Sequence, residues 1–411
     1  MNTFSSNIST EILNKCARVL VSSEPDLRLL ADVASTAFCD TSVDSNRAIY
    51  AIIQELNARL FPSISEMELI LTQSCNFSCR YCFEHVVINP RSIQFQNMSL
   101  DTIEAAIDLL IDYSGGNKEL VVTYFGGEPT LHFGGIRHAT KYIEDRAAEA
   151  NKVISLHMTS NGYRLTSEMV DYFSEHNIKV LLSIDGLEET HNSYRVLKSG
   201  RGTFTKLIDN MQRLKRRQPW IGAKMTIMPA AAANLFENVK GLHLLGVNQF
   251  LIGHATGVPW TKAQMETFRN QLKDVRDWYH AQPKHDLRIS QFDEETDECA
   301  TFGCTAARTT ISVACNGEIA GCSRITSLDN KKIIGKLGDV KYGLYNLLRR
   351  MEMVGCESLR KNCREAGIDK EYHGGCFATN YEDNQNLYKP SLLQHAFSLL
   401  TREVCNKNEP A

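Results

Sequence analysis

From residue 67 onward, short apolar runs alternate with longer stretches whose apolar residues recur at helical spacing, and no other feature restricts the fold as much. The short runs, near 67–72, 120–125, 154–159, 179–184, 222–228 and 248–253, predict six strands. The longer ones, near 101–113, 134–149, 166–176, 203–217, 233–245 and 261–280, predict six helices; in the first, Ile103, Ala106, Ile107, Leu110 and Ile111 share one face. A helix after every strand returns the chain to the same sheet end, so neighbouring strands run parallel with helices outside, closed or partly closed into a barrel. In that α/β architecture the loops at the C-terminal strand ends share one mouth. The 411 residues leave room for more than this barrel: residues 1–62, ending at Pro62, predict a helical N-terminal segment, residues 63–285 the barrel, and residues 286–411 a cysteine-rich domain.

The first strand is followed at once by Cys75, Cys79 and Cys82, in the run CNFSCRYCF. Thiolates are the ligands of iron-sulfur clusters, and three on one loop leave an iron of a four-iron cubane free for another ligand. A zinc knuckle is the rival reading, with His85 as a fourth ligand. The end of the second strand carries Gly126-Gly127-Glu128-Pro129, which alone is a plain turn sequence.

Together the two motifs resemble the radical S-adenosylmethionine enzymes, whose cysteine triad also has an aromatic residue, here Tyr81, before its third cysteine. The resemblance implies a partial (β/α)6 TIM-type barrel, a [4Fe-4S] cluster on Cys75, Cys79 and Cys82, and S-adenosylmethionine held against it by Gly126, Gly127, Glu128 and Pro129. Glycine there is expected to let backbone approach the ligand. Two further strand ends resemble family segments: Ser160-Asn161 after the third strand, and Ser183 and Asp185, followed by His191 and Arg195, after the fourth. Arg195 suits a carboxylate partner, because its planar fork donates two parallel hydrogen bonds. As turn formers and a surface ion pair, these residues also have plain structural readings.

Cys304, Gly317 and Cys322 resemble the opening of the SPASM extension found in radical enzymes that modify peptides, and Gly374-Gly375-Cys376 resembles its later segment. Cys299, Cys304, Cys322 and Cys376 are thereby implied as ligands of an auxiliary iron-sulfur cluster. The remaining pattern departs from that family. Six residues separate Cys356 from Cys363, Tyr372 stands where a cysteine would precede the glycines, and His395 lies near the place of the final cysteine. Cys356 and Cys363, with Cys405 or His395, form either an irregular second site or ordinary buried thiols. Cys315 fits no ligand position; it is either packing or a hydrogen-atom donor to a substrate radical. Cys16 and Cys39 read as small buried residues, and the short N-terminal segment lacks the three-stranded pattern of a leader-binding winged helix.

A net charge of -3 leaves no electrostatic footprint for nucleic acid, and the basic run Lys215 to Arg217 reads as a solvated helix end. No apolar stretch is long enough to span a membrane, so a cytoplasmic protein is expected, where 13 cysteines point to metal or catalysis more than to disulfides. The resemblance implies hydrogen-atom abstraction from an unactivated carbon, fed by an electron donor such as flavodoxin or ferredoxin. The expected substrate is a ribosomally synthesised precursor peptide, oxidatively crosslinked through a thioether or carbon-carbon bond. Epimerisation using Cys315, sulfatase maturation, small-molecule chemistry and a non-catalytic iron-sulfur or zinc scaffold are the alternatives; in sulfatase maturation the general base is an Asp where this chain has Ser323.

Overall fold

The computed structural model describes residues 43–82, 97–283, 285–293, 304–328, 334–368 and 375–405. All six expected units are present. Strands β1 (Glu66–Thr72), β2 (Glu119–Gly126), β3 (Val153–Ser160), β4 (Lys179–Ser183), β5 (Gly222–Ile227) and β6 (Gln249–His254) pair in that order, each parallel to the next. A two-residue strand, β7 (Arg288–Ile289), extends the sheet beyond β6.

After a helix α1 (Val43–Leu60), the crossovers are α2 (Leu100–Tyr113), α3 (Phe133–Glu149), α4 (Ser167–Glu175), the pair α5 (Glu188–Tyr194) and α6 (Phe204–Lys215), α7 (Leu235–Leu244) and α8 (Lys262–His280). Their starts follow from local chemistry. Ser99 accepts a hydrogen bond from Thr102 N–H at the head of α2, Thr166 does the same for Met169 before α4, and Thr261 forms a capping box with Gln264 before α8. The apolar stripe of α2, Ile103, Ala106, Ile107 and Leu110, is fully buried against the sheet. Ile111 packs against the core as a partly buried neighbour.

Beyond residue 285 the sheet continues. Strand β8 (Thr310–Val313) lies parallel to β1, with Leu69 opposite Val313, and β9 (Glu318–Ala320) and β10 (Gly338–Asp339) add antiparallel strands outside it. The ten strands therefore run β10-β9-β8-β1-β2-β3-β4-β5-β6-β7, an open barrel with the triad strand β1 near its middle. The same hydrophobic core passes from the barrel into these C-terminal strands.

Short helices α9 (Ser290–Asp293) and α10 (Ser323–Thr326) precede α11 (Leu347–Gly355), α12 (Glu357–Glu365), α13 (Phe377–Asn384) and α14 (Leu392–Cys405). Arg350 of α11 ties the first helix to this region. Buried to 1% exposure, it donates to Asn57 Oδ1 at 2.6 Å and to the carbonyls of Pro62 and Ala307 at 2.8 and 3.0 Å. Neutral acceptors surround it, and burial lowers its pKa to about 10. Helix α14 closes the β6 side, with Phe397 stacked on His254 at 3.7 Å and edge-on to Trp260 and Phe268. No helix among the described residues is long and apolar enough to cross a membrane.

Candidate active site

The C-terminal strand ends enclose one chamber of about 710 Å³, within the range of small-molecule and cofactor sites. Cys75, Cys79 and Cys82 all border it. Their loop is fixed from both sides: Ser78 N–H donates to Val196 O, Arg80 N–H to Tyr194 O, and Cys82 N–H to Cys79 O. Phe77, 1% exposed, plugs the loop into the core edge-on to Tyr163. Burial is the first cause that pushes the Cys75 thiol up to about 12 and the Cys79 thiol up to about 11. Iron binding at these residues must therefore displace protons. Among the described residues no three His, Cys, Asp or Glu side chains converge on a point that would hold a single ion, and His85 lies outside them.

Gly126 and Gly127 border the chamber too, but their necessity has a second physical reason besides the expected approach to a ligand. A Cβ on Gly126 would lie 2.2 Å from Thr72 O, and its φ is +131°. One on Gly127 would lie 2.5 Å from Ser74 O. The missing side chains let the β2 end close on the triad loop itself, where Gly127 N–H donates to Thr72 O and Glu128 N–H to Ser74 O.

Glu128 is 1% exposed and nearly spent on protein partners. Its carboxylate accepts from Thr130 Oγ1 at 2.6 Å, Ser160 Oγ at 2.8 Å and Asn161 N–H at 2.7 Å, so it clamps the β2 end to the β3 end. Burial raises its pKa, opposed by those hydrogen bonds. Glu128, Ser160 and Asn161 all face the chamber, whereas buried Pro129 starts a short 3-10 turn and is not part of its wall.

At the β4 end Ser183 and Arg195 line the chamber, while Asp185, 1% exposed, sits behind them. Arg195 does find a carboxylate, and it is the chain's own: Nε and Nη2 donate to Asp185 at 2.9 and 3.0 Å. Asp185 also accepts from Thr226 N–H at 2.9 Å and from the Tyr81 hydroxyl, and the Arg195 guanidinium lies 5.3 Å from the Tyr81 ring centroid. One buried carboxylate thus ties the triad loop, β4 and β5 together. His191 braces the same corner, its Nε2 against Thr203 Oγ1 at 3.1 Å while Thr203 donates to Arg195 O at 2.7 Å.

The C-terminal cysteines separate into groups. Cys322 borders the chamber, and Cys304, Cys322 and Cys376 stand near enough that their charges act on one another. Burial first, then Cys376, pushes the Cys304 thiol up to about 11, and the same causes raise Cys322. Cys356 acts on Cys304 but turns its thiol to Met353 O at 2.9 Å, in a left-handed residue between α11 and α12. Cys363 is buried on α12, and Cys405 donates to Gln291 O at 3.0 Å. Cys315 donates to Ile70 O at 2.9 Å and is not in the chamber wall. Cys16, Cys39, Cys299, Tyr372, His373 and Gly374 lie outside the described residues.

Sequence reasoning missed the far wall: Glu68, Lys224, His254, Arg324 and Glu382 also line the chamber. Arg324 donates to Glu382 at 2.6 Å, to Thr256 Oγ1 at 2.7 Å and to Cys376 Sγ at 3.7 Å. Glu68 accepts from Ser323 N–H at 2.7 Å. A signal existed for two of them, since Glu68 in EMELILT and Lys224 in GAKMTI are charges inside otherwise apolar strands.

Residues 69–230 match the family model of the radical SAM superfamily. The chain carries a radical SAM domain. It is similar to a cysteine-type anaerobic sulfatase-maturating enzyme of Clostridium novyi, 28% identical over 157 residues, which are 38% of this chain and 41% of that protein's length. The fold resembles native anSMEcpe with bound AdoMet, with a TM-score of 0.63 and 18% identity over 83% of this chain and 99% of that one. It also resembles Streptococcus suis SuiB bound to precursor peptide SuiA, with a TM-score of 0.59 and 14% identity over 95% and 88% of the two chains. A radical SAM domain is catalytic machinery that uses a [4Fe-4S] cluster and S-adenosylmethionine, and residues 69–230 supply it here. The residues fit that pair of groups: three thiols and a wall of glycine backbone border one chamber of sufficient volume.

Proposed function

We propose that the chain is a peptide maturase that removes hydrogen from a ribosomally synthesised peptide and leaves an oxidative crosslink, a thioether or a carbon-carbon bond. In this reading Cys75, Cys79 and Cys82 hold the catalytic cluster, and Gly126, Gly127, Ser160, Asn161, Ser183 and Arg195 border the bound S-adenosylmethionine. Glu128, Pro129, Asp185 and Tyr81 act behind or beside them, fixing that wall. When bound, cluster and S-adenosylmethionine supply the hydrogen-atom abstraction. The protein's own part is to hold the target carbon in the chamber and keep water out. Residues 286–411 act as a SPASM-like domain in this reading.

The observation that carries the reading is the grouping of Cys304, Cys322 and Cys376, with Cys322 in the chamber wall. Three neighbouring thiols suit an auxiliary iron-sulfur cluster, with Cys299 as the fourth ligand, and a cluster at the chamber edge provides an acceptor for the electron that an oxidative outcome releases. The epimerase reading is less favoured, because Cys315 spends its thiol proton on Ile70 O away from the chamber wall. Sulfatase maturation lacks its base, since Ser323 stands beside Cys322 and gives only its N–H to Glu68.

The test is product formation by Cys304→Ala and Cys322→Ala, with iron counted in both variants. The reading expects iron to fall by about half, from two four-iron clusters to one, and crosslinking to cease. Undiminished crosslinking in both variants rejects it.

A further inference from the structure

Among the described residues, the charged side chains of the chamber wall other than Lys224 are hydrogen-bonded to neighbours. Arg195 is held bidentately by Asp185, and Arg324 is paired with Glu382. Glu128 accepts three strong hydrogen bonds, and Glu68 accepts the Ser323 N–H. Lys224 is different. Its side chain, on β5, is open to the chamber and makes no hydrogen bond or ion pair with any described residue. Its ammonium rests 5.9 Å from the Phe125 ring centroid.

We infer that Lys224 anchors a single carboxylate of the substrate inside the chamber. Two features fix the ligand class. The ammonium is a compact point charge with three donors that no described residue takes up, and a cation open to the chamber favours an anion over a neutral group. A doubly charged phosphate would need a second cation, and both neighbouring guanidiniums are already neutralised by Asp185 and Glu382. The ammonium whose donors no described residue takes up suits one carboxylate, while the Glu68 charge that acts on Lys224 disfavours an anion of higher charge. Enclosure by protein lowers the Lys224 pKa, with Glu68 opposing and Arg195 and Arg324 adding to the effect, so an incoming anion would reverse an electrostatic cost already present. Position supports the assignment: the chamber wall that holds Lys224 also holds the triad cysteines and Cys322, and the charges of Arg195, beside Tyr81 of the triad loop, and of Arg324, beside Cys376, both act on Lys224.

The inference rests on the peptide reading only for what carries the carboxylate, an Asp or Glu side chain or a peptide C-terminus. S-adenosylmethionine is the other source of a carboxylate, and the experiment separates the two. The anaerobically reconstituted enzyme is trace-labelled with acetic anhydride, and acylation of Lys224 is followed by mass spectrometry. The probes are S-adenosylmethionine alone, and N-acetyl-Gly-Asp-Gly-amide or its Asn analogue added to the enzyme saturated with S-adenosylmethionine. The assignment expects Lys224 to be labelled without ligand, protected several-fold by the Asp peptide, and left labelled by the Asn peptide and by S-adenosylmethionine alone. In direct binding, Lys224→Gln should weaken the Asp peptide about tenfold or more and leave the Asn peptide unchanged. Equal protection by both peptides, protection by neither, or an unlabelled Lys224 overturns the assignment. Full protection by S-adenosylmethionine alone also overturns it, and gives the lysine to the cofactor. If coexpressed peptides emerge unmodified while the Asp probe still protects, the anchor stands and the peptide reading is what fails.

Discussion

Arg195 and Asp185 meet through two parallel hydrogen bonds, Nε to Oδ2 at 2.9 Å and Nη2 to Oδ1 at 3.0 Å, at a corner where Asp185 also holds Thr226 N–H and the Tyr81 hydroxyl. Breaking a buried pair leaves the surviving charge uncompensated, which costs far more than the pair contributes in water. Arg195→Met should therefore destabilise the chain by about 3–5 kcal/mol, read from the urea midpoint. Tyr81→Phe, which removes one hydrogen bond to a charged acceptor, should cost about 1.5–3 kcal/mol. Equal and small effects from both would show that the corner is not held by its charges.

The glycines at the β2 end set a second expectation. Gly127→Ala places a methyl 2.5 Å from Ser74 O, a backbone atom that cannot swing aside. The triad loop must shift, so iron retention on Cys75, Cys79 and Cys82 should fall together with thermal stability. Gly134→Ala in α3 is the matched control, because an added Cβ there meets nothing within 4 Å. In the first turn of the helix it should change stability by less than about 1 kcal/mol and leave iron content unchanged. Iron content at wild-type level in Gly127→Ala would contradict this account of the motif.

Acid should loosen the same corner through His191. Burial, with Arg195 adding to it and Asp185 opposing, lowers its pKa to about 3, and its two ring nitrogens are used as a neutral imidazole, Nε2 towards Thr203 and Nδ1 towards Asp185 N–H. In the unfolded chain an ordinary histidine protonates near 6.5. The unfolded state therefore binds the extra proton first as pH falls. Stability from this residue is complete above about pH 6.5 and drains away as pH drops towards about 3, by about 1.4 kcal/mol between pH 7.5 and 5.5. An imidazole resonance absent from His191→Gln, and silent between pH 8 and 5.5 in the wild type, would bear this out; one titrating near 6.5 would not.

Much of this architecture was legible because each barrel strand is followed by an amphipathic helix with its own cap, so local signals agree with the global fold. Strand ends came within two residues for that reason. The strands β8 to β10 were not legible. They are two to four residues long, and β8 exists because Ile311 and Val313 find the edge of β1 more than two hundred residues earlier in the chain. The triad and the Gly-Gly-Glu-Pro turn announced the chamber by residue type and spacing. That Glu128 and Asp185 serve mainly as struts could not be read this way, because it depends on which backbone N–H groups the fold brings to them. Glu68 and Lys224 were passed over since a single charge in an apolar run carries no motif, although its position within a barrel strand marks it, and Arg324, in a four-residue helix, carried no signal at all.

The most direct test of the peptide-maturase account is anaerobic coexpression with the short peptides encoded beside its gene, followed by high-resolution mass spectrometry of those peptides. The account predicts a peptide that has lost a pair of hydrogens and whose fragment ions are missing between two joined residues. A peptide unchanged in mass that gains deuterium from heavy water would contradict it, and would make the chain an epimerising enzyme instead.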